Sequence, residues 1–214
     1  MIRRRPRLIG IVAALGVLAA SWATGVTLAA FSDTTNNSGN SFSTAPSFCG
    51  SPGTQTLVAD EDTYVDENAQ TANYGNAASL QIQSRQGARN RRTLVHFPLP
   101  SAPLCSVTSA TLRLRATAAT AGRTLQAYQA ATPWTEGTVT WLTQPPTTGS
   151  PATTTSATGW IQFDVTAQAQ LMHSGVNAGF VVKDAAENQN PATTQQFSSR
   201  EAPTYQPQLV ITLA

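Results

Sequence analysis

The chain has 214 residues, with 13 Lys and Arg against 11 Asp and Glu, and only 11% of its residues are charged. Four of the basic residues, Arg3, Arg4, Arg5 and Arg7, sit together at the start, so the remainder is near neutral. That balance excludes the strongly basic footprint of a nucleic-acid-binding domain, and the length fits about one domain with appendages.

In chain order, the Arg3 to Arg7 cluster precedes the apolar run Leu8 to Ala20 and the small residues Ala29 and Ala30, the layout of an export signal. Cleavage is expected after Ala30, giving a signal peptide over 1–30 and a secreted or cell-surface protein. The alternative is an uncleaved membrane anchor, since Leu8 to Ala30 is long enough to span a bilayer, although Ser21, Trp22, Thr24 and Gly25 dilute it. Residues 31–53 are rich in Ser, Thr, Asn, Gly and Pro and offer too little apolar surface to order themselves, so they read as a linker. The folded domain is expected over 54–214. Cys49 and Cys105 both lie in the exported part, where an oxidising environment permits a disulfide. Their pairing would stabilise by about 4 kcal/mol through chain entropy; two free thiols are the alternative.

Asp60, Glu61, Asp62, Asp66 and Glu67 crowd carboxylates into one short run. Hard oxygen ligands suggest calcium, which would relieve their repulsion; a solvated acidic loop without metal reads equally well. No EF-hand spacing is present, so further ligands must come from other strands, with Asp164, Glu201 and Asn73 as candidates. Strand-sized runs follow at Leu80–Gln83, Thr93–Phe97, Ala110–Arg115, Thr124–Ala130, Val139–Leu142, Ile161–Val165, Phe180–Lys183, Gln195–Ser199 and Leu209–Leu213. In Ala110–Arg115 the alternation is nearly perfect: Ala110, Leu112 and Leu114 face the core, and Thr111, Arg113 and Arg115 face solvent. Turn signals at Gln86-Gly87, Ala121-Gly122, Glu136-Gly137 and Thr148 to Pro151 separate the runs. One helix is expected over Thr166–His173, with Val165, Ala169 and Met172 at helical spacing and Gly175 as its stop. The fold class is therefore all-β, an antiparallel jelly-roll sandwich of about ten strands with one short helix.

Arg85, Arg89, Arg91 and Arg92 cluster around the loop Gln86-Gly87-Ala88, and their planar forks suit carboxylates bidentately. A polymer of uronic acids such as alginate presents one carboxylate per sugar, so the row is a candidate reader of an acidic polysaccharide; Arg113 and Arg115 would extend it if their strand lies beside the loop. The alternative is that these arginines pair with the acidic run or solubilise a hairpin. Trp160 shares a strand face with Gln162 and Asp164, opposite Ile161, Phe163 and Val165, and reads either as an exposed sugar-stacking ring or as a cap on the sandwich. Trp134 and Trp141 are assigned to the core, and Tyr74 and Tyr128 are further aromatic candidates. His96 and His173 sit in no metal or nucleophile motif, and no carboxylate pair stands out, so catalysis is not expected.

The stretch Trp134-Thr135-Glu136-Gly137-Thr138-Val139-Thr140-Trp141 with Gln144-Pro145-Pro146, read with Ala59 to Val65, Asn73-Tyr74-Gly75, Asp164-Val165-Thr166 and Phe197 to Glu201, resembles the DNRLRE-type domains. These are secreted bacterial modules grouped with alginate-binding carbohydrate-binding modules. The resemblance covers roughly residues 57 to 214, with one departure: Phe97-Pro98-Leu99 stands where the family carries Phe-Asp-Leu. Separately, Ala30 to Thr34 and Gly39 to Ala45 resemble the signal junction of TasA- and camelysin-type proteins, cleaved by the SipW class of signal peptidase. The first resemblance implies a secreted, non-catalytic module that binds an extracellular or cell-wall polysaccharide, an acidic one on account of the arginines. Arg85, Arg89, Arg91, Arg92 and Trp160 are then the expected sugar contacts. By analogy with jelly-roll sugar-binding modules, a structural calcium is expected among Asp60, Asp62, Asp164 and Glu201. The alternative function is a structural cell-surface or matrix protein without specific sugar binding.

Overall fold

The computed structural model describes residues 49–102 and 104–214. The expected signal peptide and most of the expected linker lie outside the described residues. Eleven strands and one helix follow in order: β1 (Gly53–Val58), β2 (Glu61–Asp66), β3 (Ser79–Ser84), β4 (Arg91–His96), β5 (Val107–Ala119), β6 (Thr124–Ala130), β7 (Thr147–Thr155), β8 (Gly159–Asp164), α1 (Thr166–Ser174), β9 (Phe180–Asp184), β10 (Thr193–Ser198) and β11 (Gln208–Leu213). All pairings are antiparallel, in the order β1-β11-β5-β10-β3-β4-β9-β6-β7, with β2 on β4 and β8 on β5. The sheet curls strongly and encloses its apolar face, the all-β sandwich expected from the alternation.

The long strand β5 pairs through its first half with β11 and its last residues with β10, while β8 takes its other edge. Its alternation is as read: Ala110, Leu112 and Leu114 are buried, and Arg113 and Arg115 are half-exposed. Leu80, Ile82, Val95, Phe163, Phe180, Phe197 and Ile211 join them in the main core. The strands β4 and β9 are buried on both faces. Val95, Phe180 and Val182 face the main core, while Leu94 and Val181 face a second apolar cluster with Val65, Val139 and Ala178. The segment 131–146 covers that back face, with Trp134 and Trp141 half-buried against it. Helix α1 buries Ala169 and Met172, as its spacing implies.

Three expectations are corrected. Val139–Leu142 is no strand; two consecutive turns replace it, closed by Val139 N–H to Thr135 O at 3.0 Å and Thr143 N–H to Thr140 O at 3.2 Å. The Thr148 to Pro151 segment, expected as a turn, lies inside β7, an edge strand where a proline removes no ladder partner. Gly53–Val58, outside the expected strand runs, forms β1. Cys49 and Cys105 form the expected disulfide, tying the entrance of the domain to the loop before β5.

Candidate functional site

The five carboxylates of the acidic run do not converge. Asp60 meets His96 at 2.6 Å, Asp66 receives Arg91 at 2.8 Å, and Glu67 accepts from the Asn90 amide at 2.6 Å. Asp62 alone enters a buried polar knot, built from segments far apart in sequence. Its main-chain N–H donates to Glu136 Oε1 at 2.9 Å, and its own Oδ2 accepts the Arg200 N–H at 2.7 Å. The Arg200 guanidinium grips both Glu136 oxygens at 2.7 Å and reaches Glu201 at 3.1 Å. Asn73 closes the knot from behind, donating to the carbonyls of Glu136 and Val139 at 2.6 and 2.7 Å. Gly75 is required here by space: a Cβ would sit 2.7 Å from both Cγ and the carbonyl oxygen of Glu136.

Asp62 is 1% exposed, and its Oδ1 has no hydrogen-bond partner. Burial, reinforced by the nearby Glu201 and Glu136 charges and opposed by the Arg200 N–H, pushes its carboxyl up to about 7. Asp62, Glu136 and Glu201 each bring a carboxylate oxygen within 4.8 Å of the others. Three hard oxygen donors, one of them orphaned in the interior, fit a divalent cation of the calcium type. Arg200 balances only one of the three negative charges, and an ion would balance the remainder and hold Asp62 ionised. Of the four expected ligands, Asp62 and Glu201 are brought together and Glu136 joins them. Asp164 lies elsewhere, accepting from Thr166 N–H and Oγ1 at 3.1 and 2.6 Å, which holds its carboxyl below the ordinary range.

The arginine cluster divides. Arg91 and Arg92 are neighbours on β4 and leave it on opposite faces. Arg92 forms a two-pronged bond to Glu187 at 2.8 and 2.9 Å while stacked 4.7 Å from the Trp141 centroid. Arg91 pairs with Asp66 of the acidic run, whereas the partner of Arg92 lies outside that run. Arg85 and Arg89 stand on the hairpin loop between β3 and β4 and form no ion pair among the described residues. With Asp66, Asn68, Gln83 and Arg91 they line a groove of about 280 Å3. The loop is pinned by the buried Asn90, whose Oδ1 accepts from the N–H groups of Arg85 and Asn188 at 3.2 and 2.9 Å. The two free guanidinium groups therefore hang from a fixed frame.

Trp160 does not line this groove. It sits half-exposed on β8, opposite Arg115 in the ladder, under the Arg113 guanidinium. A second cavity of about 190 Å3 is lined by Asp60, Glu61, His96, Pro133, Trp134, Asn177 and Ala178. Its carboxylates suit a cation or sugar hydroxyls and repel an acidic sugar. Sequence reading missed Glu136, taken only as a turn residue, and Asn68 and Gln83, whose positions depend on strand pairing. The signal that could have found Glu136 was its place in the bracketed Trp-Thr-Glu-Gly motif, a charge where a surface turn needs none.

A model of the family described as carbohydrate-binding module family 96 matches residues 53–213. No curated protein matches the chain.

Proposed function

The chain belongs to carbohydrate-binding module family 96, and we propose that it is a secreted, non-catalytic module of the DNRLRE type that binds an acidic extracellular or cell-wall polysaccharide. The observation that carries this reading is the groove: Arg85 and Arg89 have no anionic partner among the described residues and are held beside Arg91 and the amides of Asn68 and Gln83. A guanidinium fork takes a sugar carboxylate bidentately, and amides read the adjoining hydroxyls. Asp66 in the same groove is already matched by Arg91, so it does not cancel the two free charges. At about 280 Å3 the groove lies just below the usual pocket range of about 300–1,000 Å3, which suits an open stretch of a polymer better than an enclosed small ligand. The disulfide between Cys49 and Cys105 supports an extracellular setting.

The knot supplies the frame, and calcium is proposed on Asp62, Glu136 and Glu201. When bound, the ion would neutralise their mutual repulsion and tie β2 to the segments after β6 and β10. The test is the mobility of the protein in native gels containing alginate, pectin, xylan or no polymer, each with calcium and with chelator. Retardation by alginate and pectin but not xylan is expected. Equal mobility in all gels would overturn the binding reading and leave a structural surface protein.

A further inference from the structure

Nine Lys and Arg residues remain beyond the initial cluster, and among the described residues Arg91, Arg92, Arg123 and Arg200 are ion-paired. Of the five unpaired, Lys183 lies over the Tyr128 ring, and Arg85 and Arg89 line the groove. Arg113 and Arg115 form a second set, on the solvent face of β5, and none of the groove's lining comes from it. The Arg113 guanidinium lies 4.8 Å from the centroid of Trp160, and that of Arg115 lies 5.0 Å from the centroid of Tyr205. The two rings meet edge to face, with centroids 6.2 Å apart and planes at 79°. Two cations and two aromatics thus interleave on one patch.

Three features of the patch go unexplained by folding. Among the described residues neither arginine has a carboxylate partner, although Asp164 projects from the same face of β8 as Trp160; that carboxylate is engaged by Thr166. Arg113 Nε is buried with no hydrogen-bond partner. Tyr205 is 56% exposed and held at φ +61°, a left-handed conformation that a bulky residue adopts only where its surroundings impose it. An exposed ring in a strained loop, flanked by unneutralised charges already immobilised by stacking, is pre-organised for a ligand with an apolar face and a negative charge.

We infer that Tyr205, Trp160, Arg113 and Arg115 form a second acidic-sugar site, Tyr205 stacking on the C–H face of a pyranose while Arg115 and Arg113 take its carboxylate. The inference rests on the acidic-polysaccharide reading for its ligand class but not on the groove. With two sites, one domain holds a polymer at two points or bridges two chains, and polymer affinity exceeds that of either site alone.

Calorimetric titration of the whole protein with a short uronic-acid oligosaccharide tests this. Two equivalents are expected to bind, with Trp160 fluorescence changing on saturation. Tyr205→Ala with Arg115→Gln should remove one equivalent and the fluorescence change. Arg85→Gln with Arg89→Gln should remove the other and keep the change. Either double variant should lose on the order of tenfold or more in affinity for polymeric alginate. If the Tyr205 variant folds poorly by its melting curve, Arg115→Gln alone carries the test. One equivalent in the wild type, unaffected by these platform substitutions, overturns the second site and leaves the groove standing. Loss of all binding on the platform substitutions, with none on the groove substitutions, upholds the platform and overturns the groove. No uptake by the wild type overturns both.

Discussion

The knot around Asp62 and the groove beneath Arg85 and Arg89 are both charged, and they treat their charges in opposite ways. In the knot, Arg200 is gripped by Glu136 and Glu201, the Asp62 N–H is satisfied by Glu136, and Asn73 ties down two carbonyls. In the groove the exposed Arg85 and Arg89 have no ion-pair partner among the described residues. Asp62, Asn73, Gly75, Glu136, Arg200 and Glu201 all come from the segments that carry the family likeness, whereas Arg85, Arg89, Asn68 and Gln83 lie outside them. The family match spans both regions alike, over residues 53–213, and by itself does not choose the glycan.

The sharpest way to break this contrast is Glu136→Ala. The change leaves the Arg200 guanidinium without its two-pronged partner and orphans the Asp62 N–H. Breaking a buried pair costs about 3–5 kcal/mol, discounted here because Arg200 is partly exposed, so a loss of about 3 kcal/mol is expected. The urea midpoint measures it. A loss below about 0.5 kcal/mol would mean that the knot is decorative and the contrast false.

A smaller effect follows from Asp62, whose carboxyl titrates near 7 in the fold against an ordinary 3.8. Between those values the native state holds a proton that the unfolded chain has released, so this group's contribution to stability falls as pH rises from about 4 to 7 and stays low above that. The direction is opposite to that of a salt-bridged carboxylate. Melting curves in chelator should thus show a lower midpoint at pH 8 than at pH 5.5, and Asp62→Asn should flatten the difference. Calcium, binding the ionised form, should raise the pH 8 midpoint more than the pH 5.5 one. Identical midpoints in chelator would show that the buried carboxyl carries no penalty.

Legibility in the sequence follows the same division. Strands with one wet face, such as β5 and β8, declare themselves by alternation, and both the Cys49–Cys105 bond and the buried face of α1 were readable. The Thr138 to Trp141 alternation misled because it has a strand's period, yet its backbone groups are satisfied by turns and by Asn73 across 66 residues of chain. Strands β1 and β7 hid because edge strands tolerate the Gly and Pro that otherwise mark loops. The arginine cluster was visible, but its division into paired and unpaired members was not. That depends on Asp66 and Glu187 arriving from strands and loops whose registers no local pattern fixes. Tyr205, in a loop with no periodicity, gave no signal at all.

The smallest stability effect is expected from a change that weakens binding. Arg85→Gln with Arg89→Gln removes two exposed side chains that pair with no anion among the described residues. Their loop stays anchored by Asn90, and surface changes of this kind typically fall within about 0.5 kcal/mol. The urea midpoint should therefore be unchanged, and two lost charge-assisted contacts should weaken binding to an acidic polymer on the order of tenfold or more. Glu136→Ala should behave in reverse, unfolding early yet binding with wild-type affinity while folded. If instead the arginine pair lowers the midpoint as much as it lowers binding, these residues serve the hairpin, and assembly and recognition are not divided between the two regions.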